Sequence, residues 1–279
     1  MVTTSNPIVF YDIAQRPPVT ETCCAVNPWK SRLALNFKGV PYTTSWVRMP
    51  DISKVRSGLN VPACRKFADG SDFNTLPIIH DPATDTFKGD SFDIAVYLQQ
   101  TYPDSGAGDL FPAQKLDYVV DHDLTLLIPL SEIRGTDFID YARFNQNIDA
   151  AFTAHTGLMA YGLPLDPATA DITKAEFVNR AAGAGVRSWE DFKMVGEMRE
   201  TMKKSFEKTL GGLAKLFVRD TTGPFLLGQK ASYADIIVGG WLRMARVTLP
   251  ASEWEELRGW HGGVFGQLHD ALDKYAEVK

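Results

Sequence analysis

The stretch Cys23–Gly39, CCAVNPWKSRLALNFKG, reads as a helix entered directly from a strand. Asn27 is the predicted N-cap, because its side-chain oxygen can accept a free amide of the first turn. Pro28 then takes the first helical position, where a missing N–H costs nothing. Trp29, Leu33 and Phe37 recur every four residues and predict one buried stripe. Lys38 and Gly39 close the helix with a cation at its negative end and a residue that tolerates left-handed dihedrals. A helix begun in this way aims unpaired amides at whatever precedes it, which favours an anion such as a thiolate. Two cysteines, Cys23 and Cys24, lie in that approach.

Working outward, Ile8-Val9-Phe10-Tyr11 is a β-branched and aromatic run that predicts a strand, and Tyr42–Val47 predicts another. The intervening residues from Asp12 to Thr22 are long for a strand-to-helix connection and should carry a hairpin or loop of their own. A strand–helix–strand unit of this length implies a right-handed crossover between parallel strands. From Met49 to Asn74, interrupted by Pro50, Gly58, Pro62 and Gly70, loops and one short helix are expected. Thr75–His80 is a strand opened by proline, Phe87-Lys88 its antiparallel return, and Gly89-Asp90-Ser91 leads into a helix that keeps Ile94, Tyr97, Leu98 and Thr101 on one face. The order is βαβ and then ββα, a small mixed sheet with helices against it.

Beyond the linker Ser105–Asp109 the strand signals stop. Helices are expected from Lys115 to about Gly135 with a kink at Pro129, from Phe138 to Phe152, from Lys174 to Ala182, from Ser188 to Phe217, and from Trp254 to Tyr275; Gly157–Thr173 reads as loop. Ser232-Tyr233-Ala234-Asp235 is a near capping box ahead of a buried helix.

The composition narrows the function. The 279 residues are 44% hydrophobic and 23% charged, an ordinary globular balance with enough apolar surface for a sizeable core. A net charge of −5 without a long basic run argues against nucleic acid. No apolar run approaches the about 18 residues that span a bilayer, and MVTTSNPIVFYD has neither the basic nor the apolar region of a secretory signal. Three cysteines, two of them adjacent, make no disulfide framework, so a reducing cytoplasm is expected. The five histidines show no metal spacing; His122 between Asp121 and Asp123 reads as helix surface, and no metal is expected.

Three features of the first hundred residues converge on chemistry: the helix start after Cys24, the Leu76-Pro77 pair that can offer backbone to an extended ligand, and Asp90-Ser91 at a helix start. Amides and the Ser91 hydroxyl can hold a carboxylate while Asp90 meets an ammonium. Together they suit a zwitterionic peptide carrying a thiol.

The order of NPWKSRLALNFKGVPY, TLPIIH, GDSFDIAVYLQQTYP, LFP and SYADIIVGGWL resembles the cytosolic glutathione transferase superfamily. It is nearest the fungal-specific FuA group and more distantly similar to bacterial β-etherases that cleave lignin aryl ethers. The likeness runs through nearly the whole chain, including the SWEDF segment before the long helix. It implies an α/β thioredoxin-like domain over residues 1–105 and an all-α domain over 113–279. It also implies that Pro77 is the family's cis-proline, that the Leu76 backbone pairs with the cysteinyl part of glutathione, and that Asp90 and Ser91 bind its γ-glutamyl end. Ser232 and Asp235 are implied to be structural. Glutathione would be the co-substrate, hydrophobic aromatic compounds the other ligands, and a homodimer the assembly.

One departure stands where serine- and cysteine-type members carry their thiol-activating residue: that position is Ala25, which has no donor. Asn27, Ser31 and Cys24 compete to replace it. Pro28 and Trp29, with Leu127 and Ile128 from the helical domain, are expected to line the hydrophobic substrate site, although Trp29 also fits the core stripe. A transferase acting on aromatic electrophiles is the leading reading. A non-catalytic carrier of aromatic or phenolic compounds is the second, and a thiol reductase, deglutathionylase or etherase-like enzyme the third.

Overall fold

The computed structural model describes residues 6–67, 69–120, 126, 128–133 and 135–279. Strand β1 (Ile8–Ala14), the single turn α1 (Val19–Thr22), helix α2 (Val26–Phe37) and strand β2 (Tyr42–Arg48) follow in order. Next come α3 (Ile52–Gly58), a short hairpin of β3 (Arg65–Lys66) and β4 (Asp72–Phe73), and then β5 (Ile78–Asp81), β6 (Thr86–Lys88) and α4 (Ser91–Thr101). The main sheet has the order β2-β1-β5-β6. Strands β1 and β2 run parallel, from Ile8 opposite Tyr42 to Ala14 opposite Arg48, while β5 and β6 are antiparallel to their neighbours. This is the βαβ–ββα arrangement of a thioredoxin-like domain. The β3–β4 hairpin lies within the stretch expected to be loops and one short helix. Asp69-Gly70 between Phe67 and Phe73 is its turn signal.

Helix α2 is more buried than one stripe predicts. Trp29, Leu33 and Phe37 are buried as expected, but so are Lys30, Ser31 and Arg32. The reason is that α2 lies between the sheet and a helix of the C-terminal domain, α8 (Tyr233–Thr248). Close approach needs Gly240, where an added Cβ would fall 2.8 Å from Lys30 Cγ and 2.9 Å from the Val26 carbonyl oxygen. Both buried cations are paired, as burial of charge demands. Arg32 donates to Asp12 at 2.6 Å and to Tyr42 Oη at 3.3 Å, and its guanidinium faces the rings of Phe10, Trp46 and Trp29 at 5.0, 5.3 and 5.6 Å. Lys30 donates to Asp149 and, at 2.8 Å, to Asn145, both on α5 (Ile139–Thr153). Asp149 also accepts the Trp241 indole N–H of α8 at 2.7 Å. Thus α2 is bolted to the sheet by Arg32 and to the helical domain by Lys30.

The start of α2 differs from the expected one. The N-cap is Ala25, not Asn27, and Trp29 N–H already donates to the Ala25 carbonyl at 3.0 Å. Asn27 and Pro28 therefore occupy the second and third helical positions. Proline is harmless there for the same reason as at the first position. The far end is as expected, with Lys38 as C-cap and Gly39 at φ +59°.

The C-terminal domain is helical: α5, α6 (Ala170–Ala181), α7 (Gly196–Phe217), α8 and α9 (Ala251–Ala271). Ser232 and Asp235 form the capping box of α8, with Asp235 accepting from Ser232 N–H and Leu226 N–H at 2.8 Å each. The expected long helix from Ser188 is divided. Ser188 and Asp191 make a capping box for a single 3-10 turn, Trp189–Phe192, before α7 begins. Helix α9 is broken at Trp260–Gly263, where His261, Gly262 and Gly263 all have positive φ.

The helix expected over Lys115–Gly135 does not appear in the described part of that range. Among the described residues of that range none is helical; Leu124 and Leu127 lie outside them, as does His122. Side chains from elsewhere take the backbone groups a helix would have used. Arg219 donates to the Lys115 carbonyl, Arg65 to the Pro129 carbonyl, and Asn147 accepts the Val120 N–H at 3.0 Å. Tertiary hydrogen bonds override local spacing here. One large core joins α2, α4 and the helical domain, and a smaller one of Ile13, Val47, Ile52, Val61, Leu76 and Ile78 lies across the sheet. No helix among the described residues is long and apolar enough to cross a membrane.

Candidate glutathione and electrophile site

Two helix N-termini meet at the edge of the sheet. At α4, Asp90 is the N-cap and its Oδ1 accepts the Phe92 N–H at 2.8 Å. Its other oxygen, Oδ2, accepts from the Ser131 hydroxyl at 2.9 Å, and Arg65 of the hairpin donates to that same Ser131 at 3.0 Å. Ser91, the first residue of α4, lies 3.5 Å from the Asn27 carboxamide oxygen of α2. Asn27 is thus held toward Ser91 by its oxygen, and no described residue takes its N–H₂ group. Below it, Val26 and Asn27 are the two residues of the first turn with unpaired backbone amides, since Pro28 has none.

A cleft of about 160 Å³ opens beside these groups. Ala25, Val26, Asn27 and Pro28 form one wall, Thr75 and Leu76 a second, and Ile128, Asp149, Thr153, Trp241 and Met244 close it from the helical domain. Leu76-Pro77 is a cis peptide, as the resemblance implies. Asp90 lines a tighter neighbouring cavity of about 40 Å³ together with Cys64 and Ser131. On the other side the cleft adjoins an apolar cavity of about 140 Å³, which shares Phe73, Ile128, Thr156 and Met244 with it.

Asn27, Pro28, Leu76, Asp90, Ser91 and Ile128 therefore come together; Leu127 lies outside the described residues. Trp29 does not line the cleft. It is a core residue whose indole N–H donates to the Cys23 carbonyl at 2.7 Å and whose ring faces the Arg32 and Arg243 guanidiniums. Ser31 is fully buried, and its hydroxyl has no hydrogen-bond partner. Cys24 is fully buried as well and does not line the cleft, and burial next to Cys23 and Asp12 pushes its thiol well above the ordinary range. Burial, with Asp12 adding to it and Arg32 opposing, pushes the Cys23 thiol up to about 12. A thiol so raised is protonated at neutral pH and a poor nucleophile. Replacing Cys24 by serine is expected to leave any thiol turnover unchanged, measured with a glutathionylated peptide as substrate. Loss of that activity would return Cys24 to the chemistry.

Two family models match the chain: the N-terminal domain of glutathione S-transferases over residues 26–101 and their C-terminal domain over residues 153–275. A glutathione S-transferase of Ceriporiopsis subvermispora, solved in complex with glutathione, is 30% identical with a TM-score of 0.77, covering 98% of this chain and 99% of its own. The chain belongs to the glutathione S-transferase family. The glutathione transferase GSTFuA2 of Phanerochaete chrysosporium is 29% identical with a TM-score of 0.77, covering 99% of this chain and 100% of its own. Among curated proteins, the glutathione S-transferase-like protein ustS of Aspergillus flavus is 28% identical over 99% of this chain and 93% of its own. The β-etherase LigF of a Sphingobium strain shares the fold alone, at 14% identity and a TM-score of 0.57 over 97% of this chain and 98% of its own. The FuA resemblance and the two-part architecture read from the sequence are both met.

Several site residues had no place in the sequence reading: Arg65, Phe67, Phe73, Asp149, Trp241 and Arg180. For the first three the hairpin turn at Asp69-Gly70 was the available signal. For Asp149 and Trp241 there was none, since helical spacing alone places them in a core.

Proposed function

We propose that this glutathione S-transferase holds glutathione in the cleft and joins its sulfur to an aromatic electrophile in the adjoining apolar cavity. The γ-glutamyl end lies at Asp90 and Ser91, the cysteinyl backbone against Leu76, and the sulfur over the start of α2. In the reaction the thiol proton leaves to solvent and the thiolate forms a C–S bond to an electron-poor carbon. The leaving group departs with the bonding electron pair. The observation that carries this reading is the Asn27 carboxamide, anchored toward Ser91 at 3.5 Å and lining the cleft beside two unpaired amides. Asn27 then supplies the donor that Ala25 lacks, and the helix start adds a favourable field of about 0.3–1 kcal/mol. The proposal goes with domains over residues 1–105 and 113–279 and with a cytoplasmic homodimer.

Asn27→Ala is expected to lower kcat/KM with an activated aryl halide by about tenfold or more, since a hydrogen bond to a charged group contributes roughly 1.5–3 kcal/mol. Ser31→Ala should not change it. Equal rates for Asn27→Ala and the wild type would remove Asn27 from the mechanism. Ala25 also favours a second reading, a carrier that binds aromatic or phenolic compounds without turning glutathione over. Dye binding without turnover of any electrophile in a broad panel would establish the carrier in place of the transferase.

A further inference from the structure

We infer that Arg180 selects aromatic ligands that carry an acidic group — a carboxylate, a sulfonate or a phenolate — for the apolar cavity. The inference rests on the reading that this cavity receives the aromatic partner of glutathione, and it adds the class of that partner. Arg180 lies in the last turn of α6 at the cavity wall. Its guanidinium faces Phe73 at 5.3 Å and Phe67 and Phe177 at 6.0 Å each. Two rings of the β3–β4 hairpin and one of α6 itself hold the cation where it is, by cation–π attraction and by packing.

The rest of the wall gives the cation its meaning. Among the described residues that line it, Ile128, Leu163, Phe192 and Met244 are apolar, Thr156 is the other polar side chain, and none is acidic. A lone cation at an apolar, low-dielectric wall favours an anion and disfavours a second cation. Among the described residues its ion-pair partner is Glu176, one turn back on α6 at 3.5 Å, with both side chains 39% exposed. An exposed pair of this length contributes little, so a ligand carboxylate can replace Glu176 without a large loss. Arg180 offers its forked donors to such a group bidentately. An aromatic acid would thus stack its ring among the phenylalanines and set its anion against the guanidinium.

The test compares two probes that differ by one sulfonate group, anilinonaphthalene sulfonate and uncharged phenylnaphthylamine, titrated by fluorescence into the full chain. Arg180→Gln should weaken the sulfonate by about tenfold and leave the neutral amine unchanged, as loss of one charge-assisted contact predicts. Arg180→Lys, which keeps the charge, should recover part of the sulfonate affinity. Equal weakening of both probes would show that Arg180 only holds the hairpin, and no change in either would show that it faces solvent; both results overturn the inference. Turnover of an uncharged aryl halide, measured in parallel, reads the transferase assignment by itself. Charge discrimination without turnover supports Arg180 and removes the transferase reading, whereas turnover without discrimination does the reverse.

Discussion

Lys30→Ala is expected to destabilise the protein by about 3–5 kcal/mol in denaturant unfolding, because it leaves a buried carboxylate without its cation. Lys30 is fully buried and Asp149 nearly so. Burial pulls the Lys30 ammonium below its usual range and Asp149 pushes it back. The pair is thus held together by the absence of water. Removing one member exposes the cost of the other. Asp149 would keep its bonds from Trp241 at 2.7 Å and Asn145 at 3.3 Å, but neither neutralises its charge. Neutralising both partners, in Lys30→Met with Asp149→Asn, should recover a large part of the loss, since an uncharged pair carries no such desolvation cost. The effect should reach the site. Lys30 fixes the first turn of α2 against α5 and α8, and Asp149 and Trp241 are part of the cleft wall. Failure of glutathione binding at temperatures where Lys30→Ala is still folded is the accompanying expectation. A loss under about 1 kcal/mol would mean that water reaches the pair.

The second large effect is at Asp90, which does two separable things. As N-cap of α4 it accepts the Phe92 N–H, and in the proposed complex its charge meets the ligand's ammonium. Asparagine caps as well as aspartate. Asp90→Asn should therefore leave stability within a few tenths of a kcal/mol while weakening glutathione by about 10- to 100-fold, the worth of a charge-assisted contact of roughly 1.5–3 kcal/mol. Asp90→Ala should show the same binding loss and in addition about 1 kcal/mol of lost stability. Calorimetric titration gives the first number and urea unfolding the second. Unchanged glutathione affinity in Asp90→Asn would detach Asp90 from the ligand and leave it a cap.

The fold was legible where pattern and tertiary contact agree. The strand runs at Ile8–Tyr11 and Tyr42–Val47, the Trp29–Leu33–Phe37 stripe and the Ser232–Asp235 box all appear as read. Local rules failed where a distant group decided the outcome. Asn27 has the better capping side chain, yet Ala25 caps α2, and the Asn27 carboxamide is turned toward Ser91, 64 residues away in the chain. Lys30 and Arg32 look like a solvated face of an amphipathic helix. They are buried because Asp149 and Asp12, on other elements, stand opposite. The apolar spacing after Lys115 suggested a helix, but Pro129 and the side chains of Arg219, Asn147 and Arg65 claim the backbone there. Around the cleft, the local signatures at Asp90-Ser91 and Leu76-Pro77 correspond to a helix cap and a cis peptide, whereas the cap signature at Asn27 does not. Adjacency to a helix start says nothing about access, and Cys24 is fully buried and absent from the cleft wall.

The central claim is that a bound thiol lies over the start of α2 with Asn27 as its donor. A crystal of this protein soaked with glutathione tests it directly. The account predicts the γ-glutamyl group against Asp90 and Ser91, the cysteinyl backbone paired with Leu76, and the sulfur within hydrogen-bond distance of the Asn27 N–H₂ group or the Val26 and Asn27 amides. Glutathione bound outside the cleft, or in it with the sulfur away from Asn27 and both amides, would contradict it.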